Sequence, residues 1–288
     1  MQKICNYCPR KCNIDREKNA GFCGVRELKV SRHLLHFWEE PIISGESGSG
    51  TIFFSGCNLK CIYCQNYDIS QNMKGKITTI SSLCDMMKEL EDKGANNINF
   101  VTPSHYVNEI IEALDKYKPS IPICYNTSSY DSVESIKRLA GYVDIYLADY
   151  KYSNNAISKL LSRASDYVEV ASSAILEMRS QVNNDIIENG LMKKGLIIRH
   201  LVLPNGVDNS KCVLNWILEN LGTDTYISLM SQYTPYGLAK NIPPYDRKIK
   251  PLEYKIVTNY ALKLGFFNAF VQDMESSNEC YIPEFYGE

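Results

Sequence analysis

Apolar residues follow two alternating rhythms along the chain: short β-branched or aromatic runs, and longer stretches whose apolar positions recur three and four apart. Residues 51–56 read as a strand that ends on the glycine before Cys57. Residues 81–93 then read as a helix with a serine cap and Leu83, Met86, Met87 and Leu90 on one face. A strand over 97–101 follows, then a helix carrying Val107, Ile110, Ile111 and Leu114. The alternation continues with a strand at 121–125, a helix near 132–139, a strand at 143–150 and two helical stretches filling 154 to about 189. A strand at 196–203, a helix capped by Ser210, a strand at 225–230, a helix at 251–264 and a short strand at 269–272 complete the pattern.

Strand and helix alternating about six times predict a parallel sheet with right-handed crossovers. Polar residues stand where the strands end: Thr102, Ser104, Asn126, Asp149, Arg199 and Gln232. Barrel enzymes assemble their sites from strand C-termini, so a partial (β/α)6 TIM-like barrel is expected, with a doubly wound open sheet as the alternative. Residues 1–46 form a small cysteine-rich extension and residues 47–288 the α/β barrel.

Composition narrows the class. At 44% hydrophobic and 22% charged residues, with no apolar run of the roughly 20 residues that span a membrane, the chain reads as soluble. The first residues lack the order of a signal peptide, which places the protein in the cytoplasm. A net charge of -2 without a basic block argues against nucleic acid or a membrane surface as partner. Eleven cysteines exceed what a cytosolic core uses, and a reducing compartment leaves metal or redox chemistry for them. Seven fall within the first 64 residues in two groups, whereas Cys84, Cys124, Cys212 and Cys280 stand alone and read as buried small apolar residues.

Cys57, Cys61 and Cys64 share one loop at C-x3-C-x2-C, a spacing that lets three thiolates wrap three corners of a 4Fe-4S cubane and leaves the fourth iron open. Zinc held by these thiolates and one of His33, His36, His105 or His200 is the competing reading. A strand, a glycine and then Cys57-Asn58-Leu59-Lys60-Cys61-Ile62-Tyr63-Cys64, followed by βα units, resembles the radical S-adenosylmethionine superfamily. That resemblance implies that the open iron binds S-adenosylmethionine and that reductive cleavage yields a 5′-deoxyadenosyl radical under anaerobic conditions. An external electron donor such as flavodoxin or ferredoxin is implied as well. Tyr63 matches an aromatic residue that lies near the adenine in the family.

Asn126-Thr127-Ser128 and Asp149-Tyr150-Lys151 resemble strand ends of pyruvate formate-lyase activating enzymes. By that resemblance Asn126 and Ser128 lie near the ribose or methionine carboxylate, Asp149 near a cation or the substrate, and Arg199 near carboxylate charge. The family's Gly-Gly-Glu segment is replaced by Thr102-Pro103-Ser104-His105, so Thr102 and Ser104 are expected to accept from the methionine ammonium, with His105 at the rim. The segment that precedes the cysteine motif in glycyl-radical activases is Ser47-Gly48-Ser49-Gly50 here. Asp149, Arg199 and Gln232 are the expected catalytic residues, with His200, Ser231 and Tyr233 beside them.

Cys5, Cys8, Cys12 and Cys23, at C-x2-C-x3-C-x10-C, supply four thiolates in a segment too short for its own core, which a metal would staple. An auxiliary 4Fe-4S cluster is expected there, with structural zinc as the alternative. The N-terminal segment, residues 35–41 and residues 52–57 together resemble homologues of pyruvate formate-lyase activating enzyme. Hydrogen abstraction from a protein or peptide, including glycyl-radical activation, is the expected function. Radical modification of a small molecule and a non-enzymatic iron-sulfur or zinc protein are the alternatives.

Overall fold

The computed structural model describes residues 4–273. The chain opens with a two-stranded antiparallel hairpin, β1 (Ile4–Cys5) and β2 (Ile14–Asp15). It continues through β3 (Lys29–His36), α1 (Pro41–Ser44), β4 (Ser49–Phe54), α2 (Tyr67–Ser70), β5 (Lys76–Ile77), α3 (Ile80–Asp92), β6 (Ile98–Val101) and α4 (Val107–Lys116). Then come β7 (Ile123–Thr127), α5 (Val133–Arg138), β8 (Ile145–Asp149), α6 (Asn155–Ser162), α7 (Tyr167–Gln181), β9 (Ile186–Glu188) and β10 (Leu191–Leu201). Last are α8 (Val207–Leu221), β11 (Tyr226–Met230), α9 (Pro251–Lys263) and β12 (Ala269–Val271).

The main sheet runs β12-β11-β10-β8-β7-β6-β4-β3-β5. Every pair from β4 to β12 on that path is parallel, while β3 and β5 continue it antiparallel beyond β4. Because the strand order never reverses between β4 and β12, the sheet is singly wound: right-handed crossovers put the helices on one face. This order excludes the doubly wound alternative. The path ends at β12 and β5 without their pairing, so the sheet stays open.

Both faces are buried, for different reasons. The helix-facing side chains, among them Phe54, Phe100, Tyr125, Tyr146, Ile198 and Leu229, belong to the large apolar core. Alternate residues of the same strands, Cys124, Ile145, Leu147 and Ile197, pack instead on Ile43 of α1 and on Met192. The short α1, with Pro41 at its start where a missing N–H costs nothing, thus plugs the inner face at its lower end.

Several boundaries differ from the sequence expectation. The strand over 29–36, within the stretch assigned to the extension, joins the main sheet with a register shift between Val30 and Arg32. The helical stretch assigned up to 189 ends at Gln181, and Ile186–Glu188 pairs with an earlier-starting β10 as a hairpin. The cap of α3 is Thr79, whose side chain accepts from the Ser82 N–H at 3.1 Å, two residues before Ser81, where the helix was expected to begin. Ser210 lies inside α8, which begins at Val207, and its hydroxyl serves His200 and the Gly206 carbonyl. Of the isolated cysteines Cys124 is buried, Cys84 is half-buried and Cys212 is exposed, which corrects the expectation for Cys212. Cys280 lies outside the described residues.

Candidate functional site

Residues at the C-terminal ends of β4, β6, β7, β8, β10 and β11 meet around one cavity of about 410 Å³. Its lining includes Cys57, Cys61, Cys64, Tyr63, Thr102, Asn126, Ser128, Asp149, Arg199 and Gln232, ten positions singled out from the sequence. Thr102 holds φ +60, a left-handed backbone that a β-branched residue rarely adopts, and its N–H donates to the Asn126 carbonyl at 3.0 Å. Strain of that kind persists where surrounding structure over-determines it, and it clusters at ligand sites.

The cysteine loop follows Gly56, whose φ of +84 and proximity to Cys23 O leave no room for a Cβ. Cys57 Sγ accepts the Leu59 N–H at 3.3 Å, Ser70 Oγ donates to Cys64 Sγ at 3.3 Å, and Ser162 Oγ lies 2.9 Å from Cys61 Sγ. Burial pushes the Cys61 thiol up to about 11 and the Cys64 thiol up to about 12, with the neighbouring thiolates adding to the rise. Thiols so placed ionise only beside a cation, which suits a metal or iron-sulfur ligand set. Among the described residues no three His, Cys, Asp or Glu side chains converge closely enough to hold one ion. What speaks for a larger inorganic group is the donor set itself, three thiols on one loop facing one cavity.

Opposite the loop, Lys151 pairs with Asp149. Burial pulls the Lys151 ammonium down, but the Asp149 carboxylate and Cys61 outweigh it and hold the group above its ordinary value. Arg199 on β10, the direct register partner of Asp149 on β8, turns to the segment between β3 and α1. Its Nη1 lies 3.2 Å from Glu39 Oε2, and its Nε lies 3.2 Å from Glu40 Oε1 without hydrogen-bond alignment. Burial alone would lower the guanidinium, yet Glu40 and Glu39 raise it. Glu39 Oε1 also accepts from Asn99 Nδ2 at 3.2 Å and Asn126 Nδ2 at 3.4 Å. A polar layer therefore roofs the apolar plug under the cavity.

Four expected residues lie elsewhere. Ser104 is buried, with its hydroxyl 3.3 Å from Thr127 Oγ1, and does not reach the cavity. His105 is no rim residue: it is 2% exposed, with Nε2 2.9 Å from Ser55 O, and burial pushes it down to about 4. His200 is equally internal, between Tyr150 O and Ser210 Oγ, and Ser231 bonds Asp273 O. Conversely Glu39, Trp38 and Gln65 line the cavity without having been singled out, and His36, named only as a candidate zinc ligand, lines it as well. The residues carry no local signal for this, because Glu39 meets Arg199 across 160 positions of chain.

The N-terminal hairpin lies directly against the cysteine loop. Cys57 N–H donates to Cys23 O at 3.3 Å, Arg10 Nε donates to Asn58 O at 2.7 Å, and Ser132 and Ser135 donate to Tyr7 O. Arg10 also stacks on Phe22, 3.9 Å from the ring centroid. Burial raises the thiols of Cys5 and Cys23, and that of Cys8 to about 12. Arg16, 4% exposed, donates to His105 O at 3.0 Å while its Nε and Nη2 have no hydrogen-bond partner, a cation facing Cys5 and Cys23.

A family model for the radical SAM superfamily matches residues 51–187. Uncharacterized protein MJ0674 of Methanocaldococcus jannaschii is 34% identical over 260 residues, 86% of this chain and 71% of that protein. Among solved structures, Streptococcus suis SuiB bound to precursor peptide SuiA superposes with a TM-score of 0.53 at 11% identity, covering 75% of this chain and 46% of that one. Methylornithine synthase (PylB) superposes with a TM-score of 0.52 at 12% identity over 75% of this chain and 60% of its own. The chain thus spans about half the length of these structures, and the likeness is one of fold. No helix of the described residues is long and apolar enough to cross a membrane. The matched stretch contains the whole cysteine loop and four of the strands around the cavity, and with the 34% relative it establishes that the chain belongs to the radical SAM superfamily, whose members use a 4Fe-4S cluster and S-adenosylmethionine.

Proposed function

We propose that the chain holds a 4Fe-4S cluster through Cys57, Cys61 and Cys64 and uses it with S-adenosylmethionine to abstract hydrogen from a protein or peptide. The observation that carries this reading is the position of the three cysteines, on one loop at the head of a cavity built from strand C-termini. When bound, the cluster supplies the electron that cleaves the cofactor's C–S bond and releases a 5′-deoxyadenosyl radical. The protein's part is to bind, orient and exclude water. Tyr63 offers a ring face for the adenine, Asn126 and Ser128 offer polar atoms to the ribose or carboxylate, and Thr102 offers an acceptor to the ammonium. Lys151, paired with Asp149, and Arg199 present the cations to which a carboxylate is drawn. Gln232, whose carbonyl accepts from Gln65 Nε2 at 2.8 Å, borders the space left for the substrate.

A peptide substrate is supported by SuiB, solved with its precursor peptide. Glycyl-radical activation is the narrower form of this reading. A small-molecule substrate is the second reading, favoured by the polar floor of Glu39, Glu40 and Arg199 and by methylornithine synthase among the structures of the same fold. At Cys5, Cys8, Cys12 and Cys23 an auxiliary cluster or zinc would satisfy the unpartnered Arg16 N–H groups, because four thiolates leave either occupant anionic.

The test is anaerobic reconstitution with iron and sulfide, reduction with dithionite, addition of S-adenosylmethionine, and assay for 5′-deoxyadenosine alongside iron and zinc counts. Deoxyadenosine with about eight irons per chain supports both sites, and about four irons with one zinc makes the N-terminal site structural. No deoxyadenosine from an iron-loaded chain overturns the reading. Cys61→Ala is expected to abolish the product and Cys12→Ala to spare it.

A further inference from the structure

Behind the cysteine loop runs a chain of hydroxyls that the reading above does not use. Ser162 Oγ lies 2.9 Å from Cys61 Sγ, Tyr152 OH lies 2.5 Å from Ser162 Oγ, and Tyr63 OH lies 2.6 Å from Tyr152 OH. Ser162 and Tyr152 are fully buried and Tyr63 is 6% exposed, so water does not compete for these contacts. The three residues come from three elements: the cysteine loop, the segment after β8, and the last position of α6. Their spacing is fixed by main-chain and ring contacts. Ile62 N–H donates to Leu161 O at 2.9 Å, joining the loop to the end of α6, and Tyr152 packs edge-on against Tyr167 at 5.1 Å. Arg10 holds the same helix end through Ser162 O at 3.3 Å and the Arg163 carbonyl at 2.6 Å.

Each hydroxyl has one proton to give. A cluster-bound cysteine sulfur is a thiolate and can only accept, so Ser162 must donate to Cys61 Sγ. Its proton being committed, Ser162 accepts from Tyr152, and Tyr152 in turn accepts from Tyr63. The chain therefore has one direction, with all three protons pointing toward sulfur. Aligned hydroxyls polarise one another, and hydrogen bonds to cluster sulfurs favour the more negative, reduced state.

We propose that Ser162, held by Tyr152 and Tyr63, is a positioning residue that raises the reduction potential of the cluster bound at Cys57, Cys61 and Cys64. The inference rests on the cluster assignment made above. Ser162 touches neither substrate nor cofactor and acts only through Cys61. Tyr63 closes the far end of the relay and also lines the cavity, so what packs on its ring bears on the same hydrogen-bond chain.

The experiment is an EPR-monitored redox titration of the reconstituted full chain carrying Cys12→Ser, so that the N-terminal cysteines do not add a second signal. Ser162→Ala is expected to shift the midpoint potential to more negative values, Tyr152→Phe to shift it the same way by less, and Ser162→Thr to restore it. Iron content, measured first, separates the outcomes. A parent chain that takes up no iron overturns the cluster assignment and this inference together. Loaded Ser162→Ala and Tyr152→Phe proteins with the parent's potential overturn the inference alone. Should Ser162→Ala fail to load, Tyr152→Phe, which keeps the serine, decides: an unchanged potential overturns the relay and a negative shift supports it.

Discussion

Arg199 Nη1 lies 3.2 Å from Glu39 Oε2, joining β10 to the segment before α1 across 160 residues of chain. With Glu40 on the Nε side, one guanidinium holds two carboxylates, and all three side chains are at least 87% buried. Removing it leaves two buried anions uncompensated. Arg199→Ala is expected to cost about 3–5 kcal/mol in urea denaturation, and Arg199→Ala with Glu39→Gln and Glu40→Gln to recover part of that loss. An additive triple variant would show that the three side chains do not act as a unit.

Gly56 sets the approach of the segment around Cys23 and Val25 to the cysteine loop. A Cβ there would meet Cys23 O at 2.8 Å and Val25 Cγ1 at 3.0 Å, on a backbone with φ +84. Gly56→Ala is expected to destabilise the fold by about 1–3 kcal/mol and to lower iron uptake at both cysteine sets. Gly94→Ala, also at positive φ but with nothing within 4 Å, is the control that carries the backbone term without the clash.

Burial pushes His105 and His200 down to about 4. An unfolded imidazole titrates near 6.5. Between those values the unfolded chain binds protons that the folded chain does not, so stability falls as pH drops from about 6.5 to about 4 and is level above that window. Each histidine contributes up to about 3 kcal/mol to the fall. Urea midpoints measured across this range check it, and the double His105→Gln, His200→Gln variant is expected to show a shallower slope.

Thr79 Oγ1 accepts the Ser82 N–H at 3.1 Å and satisfies one of the free donors at the start of α3. Thr79→Ala is expected to cost about 1 kcal/mol, whereas Ser81→Ala, inside the helix, leaves the cap intact. Equal losses in thermal or urea melts would move the cap to the serine.

The parallel strands were legible because strands buried on both faces need largely apolar runs, as in residues 145–148 of β8 and, with Asn99 as its one polar member, Ile98–Val101. The cysteine loop was legible for another reason: ligand spacing is local. β3 escaped notice because Lys29, Arg32, His33 and His36 interrupt its alternation, its stability coming from pairing with β4 rather than from a clean apolar face. The stretch after Gln181 misled through residual helical spacing, although Asn189-Gly190, both at positive φ, mark the hairpin turn between β9 and β10. Ser104 and His105 looked like site residues because they follow a strand end. Their side chains turn inward to Thr127 and Ser55, which sequence position alone does not reveal. Glu39 and Glu40 were readable as part of a segment but not as the partners of Arg199, because that contact exists only once the chain is folded.

Ile43 and the polar layer above it fill the lower end of the sheet's inner face, so the space that Arg199 shares with Cys57, Cys61 and Cys64 has a packed floor. A ligand resting against Arg199 reduces the room left for one against the cysteines, so which pairs of ligands fit together is set by volume as well as by affinity.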